Sequence, residues 1–256
     1  MEKLTIIKVG GKIVEEKKSL LRLLEDFSKI EGKKILVHGG GRSATHYATL
    51  LGIESKMVNG RRITDEETLK VVTMVYAGLV NKNIVASLQA KGINALGLTG
   101  ADMNIMLSEK RKVEEVDYGF VGDVKKVDAS ILAKLISEGV VPVLAPLTHD
   151  GMGSMLNTNA DTIASETAKA LSKYFDVNLI YCFEKKGVLN DENDDESVIA
   201  VINKPKFVEL VENGVVQGGM IPKLENAFKS IESGVKKVVI TNAFSIADET
   251  AGTTIE

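Results

Sequence analysis

The chain has 256 residues, of which 44% are hydrophobic and 26% charged, and its formal net charge is −3. This composition is typical of a globular protein, and the balance of charges argues against a nucleic-acid partner. A single cysteine rules out an intramolecular disulfide and favours a reducing compartment, so we expect a cytoplasmic protein. No run of eighteen apolar residues occurs, and we expect no membrane association.

Short apolar runs rich in β-branched residues predict buried strands, and segments with helical periodicity separate most of them. The predicted strands, in chain order, are 4–9, 34–38, 93–98, 140–144, 177–183 and 237–241. Helices are predicted near 20–27, over 69–89 and over 159–171. Alternating strands and helices predict an α/β fold, a three-layer αβα sandwich with a mainly parallel central sheet. Residues 118–127 alternate like a hairpin strand and predict an antiparallel excursion from this sheet.

Two glycine-rich stretches each follow directly on a predicted strand. The first contains Lys8, Gly10 and Gly11, and the second is His38-Gly39-Gly40-Gly41. Glycine lets backbone N–H groups approach a bound anion, so these loops predict sites for phosphate and carboxylate groups. Ligands of open α/β sheets bind outside the carboxyl ends of strands, where Lys8 would point its ammonium group into the crevice. A lysine that snorkels from an edge strand explains the same position equally well.

A second group of motifs carries charged and amide side chains. The stretch Asn59-Gly60-Arg61-Arg62 offers guanidinium groups near a turn, and such a group can grip a carboxylate with two hydrogen bonds. Exposed surface arginines remain the alternative. Asn157, Asn159 and Asp161 lie at a predicted helix start, where they either serve a site or cap the helix.

The last two motifs lie in the C-terminal third of the chain. Residues 184–189 follow the fifth predicted strand, and residues 217–223 form a glycine loop that leads into a helix with a proline in its first turn. Gly218 and Gly219 are equally compatible with a simple turn. Each motif is weak alone, and the inference depends on their joint occurrence in this order.

In this order the motifs resemble those of the amino acid kinase superfamily, over nearly the whole chain. Within it, the chain is similar to the members that transfer the γ-phosphoryl group of ATP to the side-chain carboxylate of an N-acylated glutamate, the second step of arginine biosynthesis. The resemblance implies one amino acid kinase domain over 1–256, with an N-terminal lobe (1–175) for the acyl-glutamate and a C-terminal lobe (176–256) for the nucleotide. ATP and Mg²⁺ would be the cofactors, with no metal ligand among the side chains.

The same resemblance implies roles for individual residues. Lys8 and Lys223 would flank the transferring phosphoryl group, and Asp161 would hold both lysines. The substrate-binding residues would be Gly40, Gly41, Arg62 and Asn157. The nucleotide-binding residues would be Gly10, Gly11, Glu184, Gly187, Gly218, Gly219 and Met220.

Some features depart from the family pattern and leave alternatives open. Phe183-Glu184 stands where relatives carry a Thr/Ser-Asp pair, which puts nucleotide contacts in doubt. Residues 99–104 also depart, so N-succinyl-L-glutamate competes with N-acetyl-L-glutamate as the substrate. A non-catalytic relative that senses metabolites is the alternative from another class. Arginine-inhibited members have an additional N-terminal helix that links dimers into a hexamer, whereas the first strand here begins near Met1, so we expect a homodimer.

Overall fold

A mainly parallel sheet of eight strands forms the centre of the computed structural model, which describes residues 1–58, 60–248 and 250–256. Asn59, part of the arginine motif, therefore lies outside the described residues. The strands are β1 (Lys3–Val9), β2 (Lys33–His38), β3 (Met57–Val58), β4 (Arg61–Arg62), β5 (Ala95–Leu98), β6 (Met106–Lys110), β7 (Gly122–Val127), β8 (Val141–Leu144), β9 (Leu147–His149), β10 (Met155–Asn157), β11 (Asp176–Phe183), β12 (Val201–Ile202), β13 (Lys237–Asn242) and β14 (Thr253–Ile255). The helices are α1 (Gly11–Glu15), α2 (Lys17–Lys29), α3 (Gly41–Leu50), α4 (Glu66–Thr73), α5 (Asn81–Gln89), α6 (Ala129–Ser137), α7 (Ala160–Leu171), α8 (Lys204–Glu212) and α9 (Met220–Glu232).

The central sheet has the strand order β12-β14-β13-β11-β1-β2-β8-β5. The strands from β13 to β5 are the six predicted ones, and all of them pair in parallel. Only the pairing of β14 with β13 is antiparallel. The predicted mainly parallel sheet is thus confirmed.

A separate hydrophobic core covers each face of the sheet. Leu4 and Ile6 of β1 pack on one face with apolar side chains of α6, α7 and α9. Ile7 and Val9 of the same strand pack on the other face with α2, α3, α4 and α5. Side chains of a strand point alternately to its two faces, so burial of both sets explains why apolar residues occupy both faces of β1. The predicted three-layer αβα sandwich is confirmed.

The long predicted helix is continuous from α4 to α5 but passes through a π-helical segment, Met74–Val80. Its N-cap is Asp65, whose side chain accepts a hydrogen bond from the backbone N–H of Thr68 at 2.8 Å. A π-helical segment shifts the side chains that follow it and is often found near functional sites. The helix is long and apolar enough to cross a membrane by composition, but nearly half of its most apolar window is buried inside the fold.

The predicted excursion at 118–127 belongs to a second, smaller sheet with the order β10-β9-β6-β7. Its strand β7 pairs with β6 in antiparallel fashion. Val121 and Gly122, at the start of this strand, reach a cleft at the carboxyl end of the central sheet. A two-stranded ribbon of β3 and β4 brings Arg62 to the same cleft.

Candidate active site

The two glycine loops are in direct backbone contact at the carboxyl end of the central sheet. Val9 and His38 are register partners on neighbouring strands, and the N–H of Gly39 donates to the carbonyl oxygen of Val9 at 3.1 Å. A Cβ atom on Gly39 would lie only 3.1 Å from the backbone nitrogen of Gly11. Glycine at position 39 therefore permits this close approach, and the two loops form one continuous surface.

Lys8 lies in the central strand β1, between β11 and β2, so the edge-strand interpretation of this lysine is wrong. Its Nζ atom is 2.7 Å from Oδ1 of Asp161, and the two side chains are only 8% and 16% exposed. Asp161 stands in the first turn of α7, whose N-cap is Asn159: the Asn159 side chain accepts hydrogen bonds from the N–H groups of Asp161 and Thr162. The carboxylate of Asp161 is thus left to pair with Lys8.

Lys223, in the first turn of α9, lies beside the same ion pair. Its Nζ atom is 3.8 Å from the centre of the Phe183 ring, and Nζ of Lys8 is 4.8 Å from that centre. Burial lowers the pKa of Lys223; the negative charge of Asp161 opposes this shift and the positive charge of Lys8 adds to it. The structure therefore brings all three predicted catalytic side chains together, with both lysines over one aromatic ring.

A cleft of about 590 Å³ opens beside these lysines. It is lined by residues from both glycine loops, from the segment after β11 and from the start of α9: Lys8, Gly10, Gly11, Lys12, Ile13, Gly39, Gly40, Gly41, Arg42, Thr45, Met57, Arg62, Phe183, Glu184, Lys185, Gly187, Met220, Lys223 and Ile240. We name this space the large cleft. It contains five of the seven residues predicted to bind nucleotide.

Gly218 and Gly219 are the two predicted nucleotide-binding residues that the large cleft does not include. Both are exposed in the loop before α9, where Gly218 has a φ of +53° and Gly219 directly precedes the helix. A left-handed φ favours glycine, so the turn alone accounts for Gly218. Glu184 does line the cleft, where its carboxylate pairs with Nζ of Lys12 at 2.6 Å.

A second cleft of about 210 Å³ adjoins the first, and the second glycine loop and Arg62 line both. We name it the small cleft. Its lining includes all four predicted substrate-binding residues, Gly40, Gly41, Arg62 and Asn157. Residues 99–104, the second departure from the family pattern, do not line either cleft.

Arg62 is buried at the boundary of the two clefts, which excludes the surface-charge interpretation for this residue. Its guanidinium donates to the hydroxyl of Ser55, the carbonyl oxygen of Gly41 and the hydroxyl of Thr45, each at 2.8 Å. These bonds from Nη1 and Nη2 hold the guanidinium against the second glycine loop. Asn157 donates from Nδ2 to the hydroxyl of Thr64 at 2.9 Å.

His38 holds the second glycine loop in position through hydrogen bonds of its buried ring. Its Nδ1 is 2.7 Å from the carbonyl oxygen of Gly39, and its Nε2 is 3.1 Å from Nδ2 of Asn81. A carbonyl only accepts, so the ring carries its proton on Nδ1 and accepts from Asn81 on Nε2. Complete burial lowers the pKa of His38 to about 4. The imidazole therefore stays neutral and serves the loop rather than proton transfer.

The motifs indicated the charged residues but not the groups that hold them. Ser55 and Thr45, which anchor Arg62, belong to no motif, and the pairing of Lys12 with Glu184 joins segments 172 residues apart. Tyr76 packs against Gly40, where an added Cβ would lie 3.0 Å from its ring.

In the described part of the chain, no group of three or more His, Cys, Asp or Glu side chains is placed to hold a metal ion.

Comparison with known proteins finds similarity to one family over most of the chain. The model of the amino acid kinase family matches residues 3–242. The chain is 74% identical to the acetylglutamate kinase of Bacteroides thetaiotaomicron over 96% of both chains. It is 72% identical to the acetylglutamate kinase of Phocaeicola vulgatus over 100% of this chain and 99% of that protein.

Solved structures share the fold at lower identity. An N-acetylglutamate synthase from Neisseria gonorrhoeae, in complex with coenzyme A and N-acetyl-glutamate, superimposes with a TM-score of 0.83 at 20% identity. The match covers 99% of this chain and 59% of that one. The carbamate kinase of Giardia lamblia bound to AMP-PNP gives a TM-score of 0.70 at 15% identity, covering 99% of this chain and 98% of the other.

Proposed function

This chain belongs to the amino acid kinase family, and we infer that it transfers the γ-phosphoryl group of ATP to the side-chain carboxylate of N-acetyl-L-glutamate. The product is N-acetyl-L-glutamyl 5-phosphate, and the reaction is the second step of arginine biosynthesis. Curated relatives 72–74% identical over almost the full chain carry the name of this activity. The observation that carries the mechanism is the convergence of Lys8, Lys223 and Asp161 beside the large cleft.

The chemistry of the acceptor explains this set of residues. A carboxylate is already an anion, so its attack on phosphorus needs no general base. The difficulty is electrostatic, because an anion must approach the polyanionic phosphates of ATP. Two ammonium groups fixed in a partly buried site stabilise the charge that develops on the transferring group. Asp161 holds Lys8 in place and limits the repulsion between Lys8 and Lys223.

We assign the nucleotide to the large cleft. Backbone N–H groups of Gly10 and Gly11 would face its phosphates, and Met220 and Gly187 would lie near the remainder of the nucleotide. Glu184, paired with Lys12, would contact it at the exposed rim. Gly218 and Gly219 would act through the position they give to α9.

We assign the acyl-glutamate to the small cleft. The guanidinium of Arg62 would bind its α-carboxylate, and the amide of Asn157 would bind the acyl portion. Gly40 and Gly41, which line both clefts, would carry N–H groups toward the carboxylate that attacks. The same assignment keeps the proposed lobes, 1–175 for the acyl-glutamate and 176–256 for the nucleotide.

Mg²⁺ would enter with ATP. Magnesium in kinase sites is held by one or two carboxylates together with the phosphates of the substrate. The carboxylates of Asp161 and Glu184 are the candidates for such contacts, and each already pairs with a lysine. These donors fit an ion that takes most of its ligands from phosphate and water. When bound, the ion would neutralise charge on the β- and γ-phosphates.

A second candidate substrate, N-succinyl-L-glutamate, has one observation in its favour. Arg61 lines the small cleft and is exposed, and its side chain makes no hydrogen bond or ion pair with the described residues. Arg111 lines the same cleft but is already engaged with the carboxylate of Asp123. An uncompensated guanidinium at the acyl end would suit the additional carboxylate of a succinyl group.

For the assembly we propose a cytoplasmic homodimer with small-molecule ligands only. Met74 and Leu79, on the long helix, are 56% and 42% exposed, and such apolar side chains would suit a contact between two copies. Sedimentation at dimer mass, and at monomer mass after Met74→Glu and Leu79→Glu, would support this assembly. Sedimentation of the wild type as a monomer would contradict it.

Trapping of the acyl phosphate with hydroxylamine tests the function. Protein, ATP and Mg²⁺ are incubated with N-acetylglutamate, N-succinylglutamate, aspartate, UMP or carbamate, and hydroxamate and ADP are measured. We expect a hydroxamate with N-acetylglutamate and none with aspartate. A higher kcat/KM with N-succinylglutamate would establish the second candidate. ATP binding without product from either acyl-glutamate would contradict the function and favour a non-catalytic sensor.

A further inference from the structure

We propose that Phe183 is a positioning residue that holds the ammonium groups of Lys8 and Lys223 together before the substrates bind. The inference rests on the proposed function, because it gives these two lysines the task of stabilising the transferring phosphoryl group. Phe183 also lines the large cleft, but in this role it acts through the lysines.

The sheet fixes the ring relative to Lys8. Lys8 of β1 and Tyr181 of β11 are register partners in neighbouring parallel strands, so their side chains point to the same face. Phe183, two residues after Tyr181, points to that face as well. The Tyr181 and Phe183 rings stack with centres 6.2 Å apart and planes 9° apart. Tyr181 is only 2% exposed, so it gives Phe183 a rigid support.

The ring of Phe183 attracts Lys223, for which the nearby charged groups of the described residues provide no ion pair. Two ammonium groups share a single buried carboxylate, and Asp161 makes its ion pair with Lys8. Within the described residues, the side chain of Lys223 makes no hydrogen bond or ion pair. Its Nζ atom lies over the face of Phe183, 3.8 Å from the ring centre. The negative face of an aromatic ring attracts a cation, most strongly where water is partly excluded.

A neutral ring has an advantage over a second carboxylate in this position. A carboxylate would hold Lys223 firmly and would also repel the phosphates of ATP. An aromatic face attracts the ammonium group more weakly and carries no net charge. Lys223 is therefore held near Lys8 but keeps its three N–H donors for the phosphoryl group. Such preorganisation lowers the cost of reorganising charges during the reaction.

Fluorination of the ring separates this role from simple packing. We would replace Phe183 by phenylalanines that carry one, two or three fluorine atoms, which weaken the negative face while almost preserving the shape. We expect kcat to fall stepwise, by about tenfold over the series, with KM for ATP and for N-acetylglutamate changed less than about twofold. Phe183→Tyr is expected to retain kcat, and Phe183→Leu to lose at least as much as the trifluorinated ring.

A second readout needs no turnover. The pKa of Lys223, followed through the NMR resonance of its ε-methylene group, should fall along the same series by about one unit in total. Asp161, Lys8 and Glu184 also act on this pKa and are unchanged in every variant. A flat pKa and a flat kcat along the series would overturn the role of Phe183. A wild type that forms no acyl phosphate but shows the falling pKa would overturn the proposed function alone.

Discussion

The buried imidazole of His38 makes stability depend on pH in a way that can be calculated. Its pKa is lowered from 6.5 to about 4, with burial as the largest cause. The hydrogen bond to Gly39 opposes the shift, and the charge of Lys82 adds to it. The unfolded chain therefore binds a proton at mildly acidic pH that the folded chain does not bind. The stabilisation is complete above about pH 6.5 and is lost as the pH falls toward 4.

The size of the effect follows from the two pKa values. Between pH 7 and pH 5, His38 alone should reduce the free energy of unfolding by about 2 kcal/mol, and by pH 4 the loss reaches about 3 kcal/mol. Carboxylates with lowered pKa values, such as Asp65 and Asp128, also lose stabilisation as the pH falls, mainly below pH 5. A variant without the imidazole is needed to separate the two contributions.

Urea unfolding of the wild type and of His38→Asn at pH 7 and pH 5 provides the measurement. The variant should be less stable at pH 7, because the support of Gly39 is weakened, but its loss between the two pH values should be smaller by about 2 kcal/mol. The NMR resonance of His38 in the folded wild type should keep its neutral position down to about pH 5. Equal pH dependence in both proteins, or a His38 titration near pH 6.5, would refute the reasoning.

Four further predictions concern the charged residues of the site. Lys8→Met and Lys223→Met should each reduce kcat by about 10²–10³-fold in a coupled ADP assay, while the circular dichroism spectrum stays unchanged; a loss under tenfold would argue against their role. Asp161→Asn should lower the free energy of unfolding by about 3 kcal/mol in the absence of ATP, because two ammonium groups then lose their shared carboxylate. Added ATP should restore part of the lost stability, measured as a rise in the melting temperature in a thermal-shift assay. Arg62→Lys should raise KM for N-acetylglutamate at least about tenfold and leave KM for ATP unchanged, because an ammonium group lacks the guanidinium fork. The alkaline decline of kcat should begin below the ordinary lysine pKa of 10.5, because burial lowers the pKa of Lys223 and the protonated form is the active one.

Much of the fold follows from local sequence patterns. Strand β1 is mostly apolar because both of its faces are buried, and this makes it recognisable without a structure. In β11 buried residues alternate with half-buried ones over most of the strand, and its apolar and aromatic residues still mark it as a strand. Helix α7 was predictable from its polar start, although the patterns did not decide which residue caps it. Asn159 does so because its side chain reaches the N–H groups of the first turn, while Asn157 lies in β10 and points to Thr64.

Other elements were not predictable because short polar segments carry little periodicity. Strands β3 and β4 have two residues each, and only pairing across a turn places Arg62 in the cleft. The π-helical segment leaves no mark in the apolar pattern of the long helix, yet Tyr76 within it packs on Gly40.

The candidate site also contains residues that the sequence predicted and contacts that it did not. Motif order predicted that Lys8, Asp161 and Lys223 belong to one site, since Lys8 directly precedes a glycine loop and the other two stand at predicted helix starts. The aromatic contact between Phe183 and the two lysines was not predictable, because it depends on the register of β1 with β11 and on the approach of α9. Phe183 was visible in the sequence only as a departure from the family pattern.

A crystal structure with ADP, aluminium fluoride and N-acetylglutamate is the most direct test of the central claim, that Lys8 and Lys223 flank the phosphoryl group in transfer. Aluminium fluoride stands in for that group at the midpoint of the reaction. We expect it between the two clefts, with Nζ of Lys8 and Nζ of Lys223 both within hydrogen-bond distance of fluorine atoms and Arg62 on the α-carboxylate. Aluminium fluoride that contacts neither lysine, or N-acetylglutamate bound away from Arg62, would contradict the account.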